Sequence, residues 1–476
     1  MKSAISLNMA VILAVAVFSA RGIYGADSVG APAGGVSAAS YGSIQQAIDA
    51  NPGRMILIPD GDHVITKKLR IAGDSGGLCG YGRIIQSNPA ETILEIEHAS
   101  NVRVTGVTLT RAEGRMDATA PGVFCYDSRN VVLDSVRVVD SRARNAAIEI
   151  RESQSCTVRD CEVLNYKRVA VDDRTDSPEH YGYAFICIDG TGILVSDSVG
   201  TMLRGNRVVE RNLFPTREMK ETHKLGTLTE GRFPSKLGKL AAGAFKNNYV
   251  GNWHQGSAIV VTSPEKTRNT VVSGNYIENA AQGIDLHCDN CVCSDNVVVC
   301  GMMGVKATHG SRNLIISGNM LTRIDLWGIL LNPGTASHNA EAPAGDKPAR
   351  EANVDGGIII ANNIITEYGC GNEYWNWGGA TDDQGGSFPI TFRGGQLETN
   401  PPLTDVIIQG NVVYDTNRDG VVVDGKVGQP KPKYQYAVFV GSWGAKDDPT
   451  LPRNLHFIGN VFHPGSRGVS NVELNP

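Results

Sequence analysis

The residues of this chain whose types and spacing suit catalysis gather between Gly283 and Arg312. Four short segments align on their opening residue: Ala258-Ile-Val-Val-Thr262, Gly283-Ile-Asp-Leu-His287, Gly304-Val-Lys-Ala-Thr308 and Gly328-Ile-Leu-Leu-Asn332. Apolar residues alternate in them, the period of a strand with one buried face. Their outward positions hold Val260, Asp285, Lys306 and Leu330 in one column and Thr262, His287, Thr308 and Asn332 in the next. Stacked strands lie about 4.8 Å apart, so Asp285, His287 and Lys306 should form one patch, with Asp289, His309 and Arg312 at its turn edge. An aspartate raises the proton affinity of a neighbouring imidazole, and a lysine stabilises carboxylate charge. Together the three can take a proton from beside a sugar carboxylate and hold the resulting anion. The alternative is an Asp285–Lys306 ion pair beside a solvated histidine.

Other candidates flank this patch. Asn252-Trp253-His254-Gln255 immediately precedes it, placing His254 and Gln255 among the expected substrate-binding residues with Asp289, His309 and Arg312. A loop over 370–396 carries Tyr374, Trp375 and Trp377, then Asp382 and Asp383; Trp375 and Trp377 could stack on sugar rings or pin the loop to its scaffold. Nearer the N-terminus, Glu149 and Arg151 face outward on one strand, followed by Asp172, Asp173 and Arg174 and then by Glu179 and His180. Paired acids are what a glycoside hydrolase uses, but consecutive strand residues face opposite ways, so Asp172 and Asp173 suit a charged turn better.

Scaffold elements that must position these groups repeat along the chain, as in NTVVSGNYIEN, NLIISGNMLTR and DVIIQGNVVYD. The turns anchor on Val107, Val136, Cys161, Asn206, Asn248, Asn275, Asn296, Asn319, Asn363, Asn411 and Asn460. The shortest separations, 21 residues from Asn275 to Asn296 and 23 from Asn296 to Asn319, fit one turn of a solenoid, and 42 to 49 fits a turn with an inserted loop. So short a unit cannot bury its apolar face alone, and the turns must stack. The expected fold is all-β: a single-stranded right-handed parallel β-helix of about eleven turns, its asparagines placed at sharp left-handed bends. Ser43-Ile-Gln-Gln-Ala-Ile-Asp-Ala50 reads as an N-capped helix and Met55–Ile58 as a strand, giving an N-terminal cap over about 41–60 that covers the open end.

Residues 1–25, with Lys2 and the apolar run Met9–Phe18, read as a signal peptide, leaving 26–476 as one secreted or periplasmic domain with no membrane contact after cleavage. Fifty-five glycines and a charged fraction of 20% suit a solenoid, and a net charge of −5 gives no general attraction to nucleic acid. No N-x-S/T sequon occurs. Cys156, Cys288, Cys291, Cys293 and Cys300 align mainly with Leu, Ile, Val or Thr of other turns, which makes them small core residues rather than disulfide partners. His287, Cys288, Cys291 and Cys293 resemble a metal set, but alternation sends His287 and Cys288 to opposite faces, so no metal is expected there. Gly77-Leu-Cys-Gly-Tyr-Gly82 is expected to be a turn cluster, not a dinucleotide loop.

The opening S-I-Q-Q-A-I-D-A, I-L-I-P-D-G and N-V-R-V-T-G-V-T-L resembles the start of the secreted pectate-lyase-like β-helix superfamily, and the repeat extends that resemblance over nearly the whole chain. The run Gly283-Ile-Asp-Leu-His-Cys-Asp289 also resembles the G-I-D-P-H-D signature of mannuronan C-5-epimerases, with Leu286 for the proline, Asp289 one position late and Gln282 where a tyrosine would stand. The resemblance implies that Asp285 and His287 line a sugar site. The expectation is a monomeric protein without a cofactor, its Ca²⁺ dependence open. It would bind a polysaccharide, acidic or neutral, and act at C5 of a uronic acid by β-elimination or epimerisation where that polymer is acidic. Glycoside hydrolysis and non-catalytic carbohydrate binding are the alternatives.

Overall fold

The computed structural model describes residues 35–475 except 172–185, 215, 226–255, 369–386, 416–421, 424–425, 428–433 and 443–447. The chain winds as a right-handed parallel β-helix with three strands per turn. One face is a sheet of thirteen strands running from Val36–Ser37 to Leu455–Ile458. The other two faces join into one sheet of 21 strands, because Tyr276–Leu286, Val297–Thr308 and Met320–Asn332 each run unbroken round the corner between them. Leu, Ile and Val at alternate positions fill the interior as stacked layers, such as Ile259, Ile284, Val305 and Ile329, all fully buried.

A ladder of buried asparagine side chains fixes the rung spacing at the corner after the thirteen-stranded face. From Asn206 through Asn275, Asn296, Asn319, Asn363 and Asn411 to Asn460, each backbone N–H donates to the next Oδ1 at 2.9–3.0 Å. Each amide Nδ2 donates to that same oxygen at 2.9 Å. Every amide also bonds a carbonyl of the neighbouring rung, as Asn319 Nδ2 does with Cys293 O at 3.1 Å. The asparagines themselves are not left-handed; the residues before them are, Asp295 at φ 58° and Gly318 at φ 66° among them. The ladder asparagine is therefore selected for its side-chain bonds, and the residue before it, glycine, Asp295 or Asn362, takes the bend.

Asn248 lies outside the described residues; the rung of Asn206 pairs directly with that of Asn275. Conversely, the strands Asp62–Ile65 and Arg83–Gln86 belong to rungs without the repeated turn motif. Gly77–Gly80 is a strand, not a turn: Gly77 passes so close to Arg103 that a Cβ would fall 1.7 Å from its carbonyl oxygen.

The N-terminal cap is present. Ser43 Oγ accepts from Gln46 N at 3.1 Å to start the helix Ile44–Ala50, and Ile44 and Ala47 are buried against the first rungs. Cys291 and Cys293 are buried and pair in register with Leu314 and Ile316. Eight described cysteines are free thiols, but Cys300 is disulfide-bonded, contrary to the expectation of an unbonded core residue. It stands at a left-handed corner, φ 55°, outside the main core. Among the described residues no helix is long and apolar enough to cross a membrane.

Candidate functional site

Inserted segments leave the β-helix on both sides of the third face, which contains Ser257–Thr262, the end of Tyr276–Leu286, the end of Val297–Thr308 and Phe388–Arg393. Among the described residues, the antiparallel strands Arg168–Val171 and Ile186–Asp189 leave at the corner before these strands, and 333–355 departs after them. The third face is therefore the floor of a groove with loops along both edges.

On that floor Val260, Asp285, Lys306, Leu330 and Thr391 are register partners in one column. Thr308 and Asn332 are partners in the next, the column that His287 shares with Thr262. Lys306 Nζ lies 3.0 Å from Asp285 Oδ2, and His287 Nε2 lies 2.8 Å from Asp285 Oδ1. The Asp285 and His287 atoms are not aligned for a hydrogen bond, and both are buried without another hydrogen-bond partner. His287 Nδ1 meets Thr262 Oγ1 at 3.2 Å. Burial opposes the charge on Asp285, but His287 and Lys306 outweigh it and hold the carboxyl well below the usual carboxylate range. Though all three face outward, the side chains of Asp285, His287 and Lys306 are only 8%, 16% and 14% exposed, so their mutual attraction is weakly screened.

His309 completes the cluster, its ring edge-on to His287 with centroids 4.8 Å apart. Thr335 N donates to His309 Nδ1 at 3.0 Å, which puts the ring proton on Nε2. Burial, followed by the charges of His287 and Lys306, lowers its pKa to about 3, so it stays neutral. Asp289 and Arg312 do reach the turn edge, but as an ion pair that joins neighbouring rungs, Asp289 buried and Arg312 a third exposed. Arg312 also donates to Ala352 O at 3.2 Å, tying it to the 333–355 insertion. These two build the edge rather than face the floor.

Sequence reasoning missed that insertion as a wall. It folds back on itself, His338 pairing with Asn353 and Glu341 with Arg350. It then reaches Glu265, which lies 3.1 Å from Arg350 and 3.4 Å from His338. The root is Asp355, accepting from Gly310 N at 2.9 Å, Ser311 N at 3.0 Å and Ser337 Oγ at 2.5 Å. Burial pushes the Asp355 pKa up to about 7 against those bonds. An apolar cluster of Met303, Trp327 and Phe388 beside the floor, with Arg393 4.7 Å from the Phe439 ring centre, was also missed. Only aromatic residues scattered across distant turns hinted at it.

His254, Gln255, Trp375 and Trp377 lie outside the described residues, as do Asp172, Asp173, Glu179 and His180. Glu149 and Arg151 are on the same floor, three and more rungs toward the N-terminus. Among the described residues no group of three or more His, Cys, Asp or Glu side chains is arranged to hold a metal ion.

No protein-family model matches this chain, and no curated protein sequence matches it. Solved structures do share its fold. The catalytic unit of a GH87 α-1,3-glucanase from Streptomyces thermodiastaticus matches with a TM-score of 0.51 at 10% identity, over 93% of this chain and 71% of that one. An exopolygalacturonase from Thermotoga maritima matches at 0.49 and 11% identity, over 81% and 89%. The A-module of an Azotobacter vinelandii mannuronan C-5 epimerase matches at 0.44 and 12% identity, over 90% and 99%. At these identities the likeness establishes the right-handed parallel β-helix and not a reaction.

Proposed function

We propose that this protein binds an acidic polysaccharide along the third face and acts at C5 of a uronic acid residue, by β-elimination or epimerisation. The observation that carries the reading is the Asp285–Lys306 pair with His287 beside it, in a groove bordered by insertions. His287, held beside Asp285, takes the C5 proton, and Lys306 faces the sugar carboxylate as negative charge spreads onto it. In elimination the electron pair from C5–H forms the C4–C5 double bond while the C4–O bond breaks and the departing oxygen takes a proton. In epimerisation a proton returns to C5 from the opposite side. The neutral His309 supplies an Nε2–H donor next to these groups.

Hydrolysis by two carboxylates has less support. The acids of a glycoside hydrolase pair stand about 5–9.5 Å apart. In the Asp285 column the next carboxylate is Glu149, three rungs or roughly 14 Å away. Polysaccharide-active proteins among those sharing the fold, an exopolygalacturonase and a mannuronan C-5 epimerase included, support a carbohydrate substrate in general terms.

Incubation with a panel of acidic and neutral polysaccharides tests the proposal. Unsaturated products absorbing in the ultraviolet identify elimination, and altered C5 configuration in an uncleaved polymer, read by NMR, identifies epimerisation. New reducing ends without either signal would overturn the reading in favour of hydrolysis. Affinity with no product at all would make the protein a binding module.

A further inference from the structure

The third face carries a second set of outward groups toward the N-terminus, which the chemistry at His287 does not use. Phe124 and Tyr126 project from one strand, both partly exposed, with ring centroids 5.7 Å apart and planes 14° from parallel. Arg151, on the next rung, places its guanidinium 5.6 Å from the Phe124 ring centre. Tyr126 Oη is 3.4 Å from Glu152 Oε2, and His98 stands edge-on to the Tyr126 ring at 5.9 Å. Next to the pair lies Glu149, completely buried although it faces outward. Arg151 donates to its Oε1, while Oε2 has no hydrogen-bond partner.

Register connects this set to the first. Phe124 pairs with Glu149, Glu149 with Leu194, Leu194 with Val260 and Val260 with Asp285. Four rungs, or about 19 Å, therefore separate the Phe124 ring from Asp285 along one continuous column. Leu194 and Val260 between them are partly exposed, and Ser196 and Thr262 supply hydroxyls in the adjoining column.

We infer that Phe124, Tyr126 and Arg151 form a separate carbohydrate-binding platform that grips a distant part of the polymer whose reacting residue lies at His287. The inference rests on the proposed polysaccharide reading. Aromatic rings offer apolar faces to the C–H edges of pyranose rings. Arg151, Glu152 and the unpartnered oxygen of Glu149 supply the donors and acceptors that sugar hydroxyls or carboxylates require. An extended polysaccharide advances by a distance comparable to one rung per sugar residue. The platform therefore distinguishes chains by length: fragments shorter than the gap reach only one of the two sites.

The test measures affinity and turnover for alginate, homogalacturonan and α-1,3-glucan fragments of graded length, using the full chain and its Phe124→Ala/Tyr126→Ala variant. Wild-type affinity should rise once fragments bridge the gap. The double variant should lose roughly tenfold in affinity for those fragments and with it the rise of affinity with length. Where turnover is measurable, KM for long fragments should rise at constant kcat. Tyr126→Phe, which keeps the ring, should retain most of the length dependence. Unchanged length dependence in the double variant, with its thermal stability intact, overturns the platform and leaves the C5 reading standing. Length-dependent affinity that the double variant abolishes, in a protein without turnover on any substrate, supports the platform and defeats the C5 reading. Failure of the wild type to bind any fragment defeats both.

Discussion

Thr335 fixes the tautomer of His309: its backbone N–H, 3.0 Å from Nδ1, leaves Nε2 as the nitrogen that carries the proton beside His287. With the His309 pKa lowered to about 3 by burial and by its neighbours His287 and Lys306, the cluster contains one neutral ring whose proton position is set.

Imidazole NMR should show His309 as the neutral Nε2–H form from neutral pH down to about 3. The folded pKa lies below the unfolded value of roughly 6.5, so the unfolded chain binds the extra proton and stability declines as pH falls through that window. His309→Gln should flatten that part of the stability–pH curve. A His309 resonance titrating near 6 would refute the assignment.

His287→Ala should lower turnover by roughly 10²–10⁴. Because His287→Ala also leaves the buried Asp285 with one neighbour fewer, thermal unfolding of His287→Gln is the control that separates lost chemistry from lost stability. Lys306→Ala should raise KM for acidic substrates far more than for neutral ones, but it also leaves Asp285 a buried charge with one neighbour fewer, so Lys306→Met with Asp285→Asn is the informative stability control. Wild-type activity in both single variants places the chemistry elsewhere on the chain.

Asp355→Asn should retain the fold, since an amide oxygen can accept from Gly310 N and Ser311 N as the carboxylate does. Here the folded pKa, about 7, is above the unfolded value of roughly 3.9, so the wild type loses stability as pH rises through that interval. Denaturant titrations at several pH values should show the variant without this decline. An identical pH dependence in the two proteins excludes Asp355 as its source.

Asn319→Ala removes two acceptor contacts and two donor contacts at a fully buried corner. It should destabilise the protein by about 3 kcal/mol, mostly through polar groups left without partners. Asn460→Ala, at the partly buried end of the same ladder, should cost clearly less. Equal losses at the two positions would show that the ladder does not act through buried polar satisfaction.

Much of this was legible in the sequence because a solenoid translates residue spacing directly into spatial neighbourhood. Once Gly283 and Gly304 were aligned, Asp285 and Lys306 had to be register partners, and they are. The same logic placed Cys291 and Cys293 inside. It misjudged which rung follows that of Asn206, which is that of Asn275, because a repeated turn motif does not by itself say that it stacks. It failed at Gly77–Gly80 because glycine serves close strand approach as readily as a bend. Asp289 and Arg312 could be put at the edge but not paired from spacing alone, and the Glu265 clasp joins residues 85 positions apart without any repeat to announce it.

The asparagine ladder makes the same 3.0 Å backbone contact whether its partner is 21 residues away, as at Asn275 and Asn296, or 69 away, as at Asn206 and Asn275. Closing the longer excursion costs only about 1 kcal/mol more in chain entropy. Loops that border the groove can consequently lengthen, shorten or be transplanted from other β-helices while the spine keeps its pitch. On the proposed polysaccharide reading, substrate preference is thus open to engineering by loop grafting at the corner that follows Val209, with the asparagines left untouched.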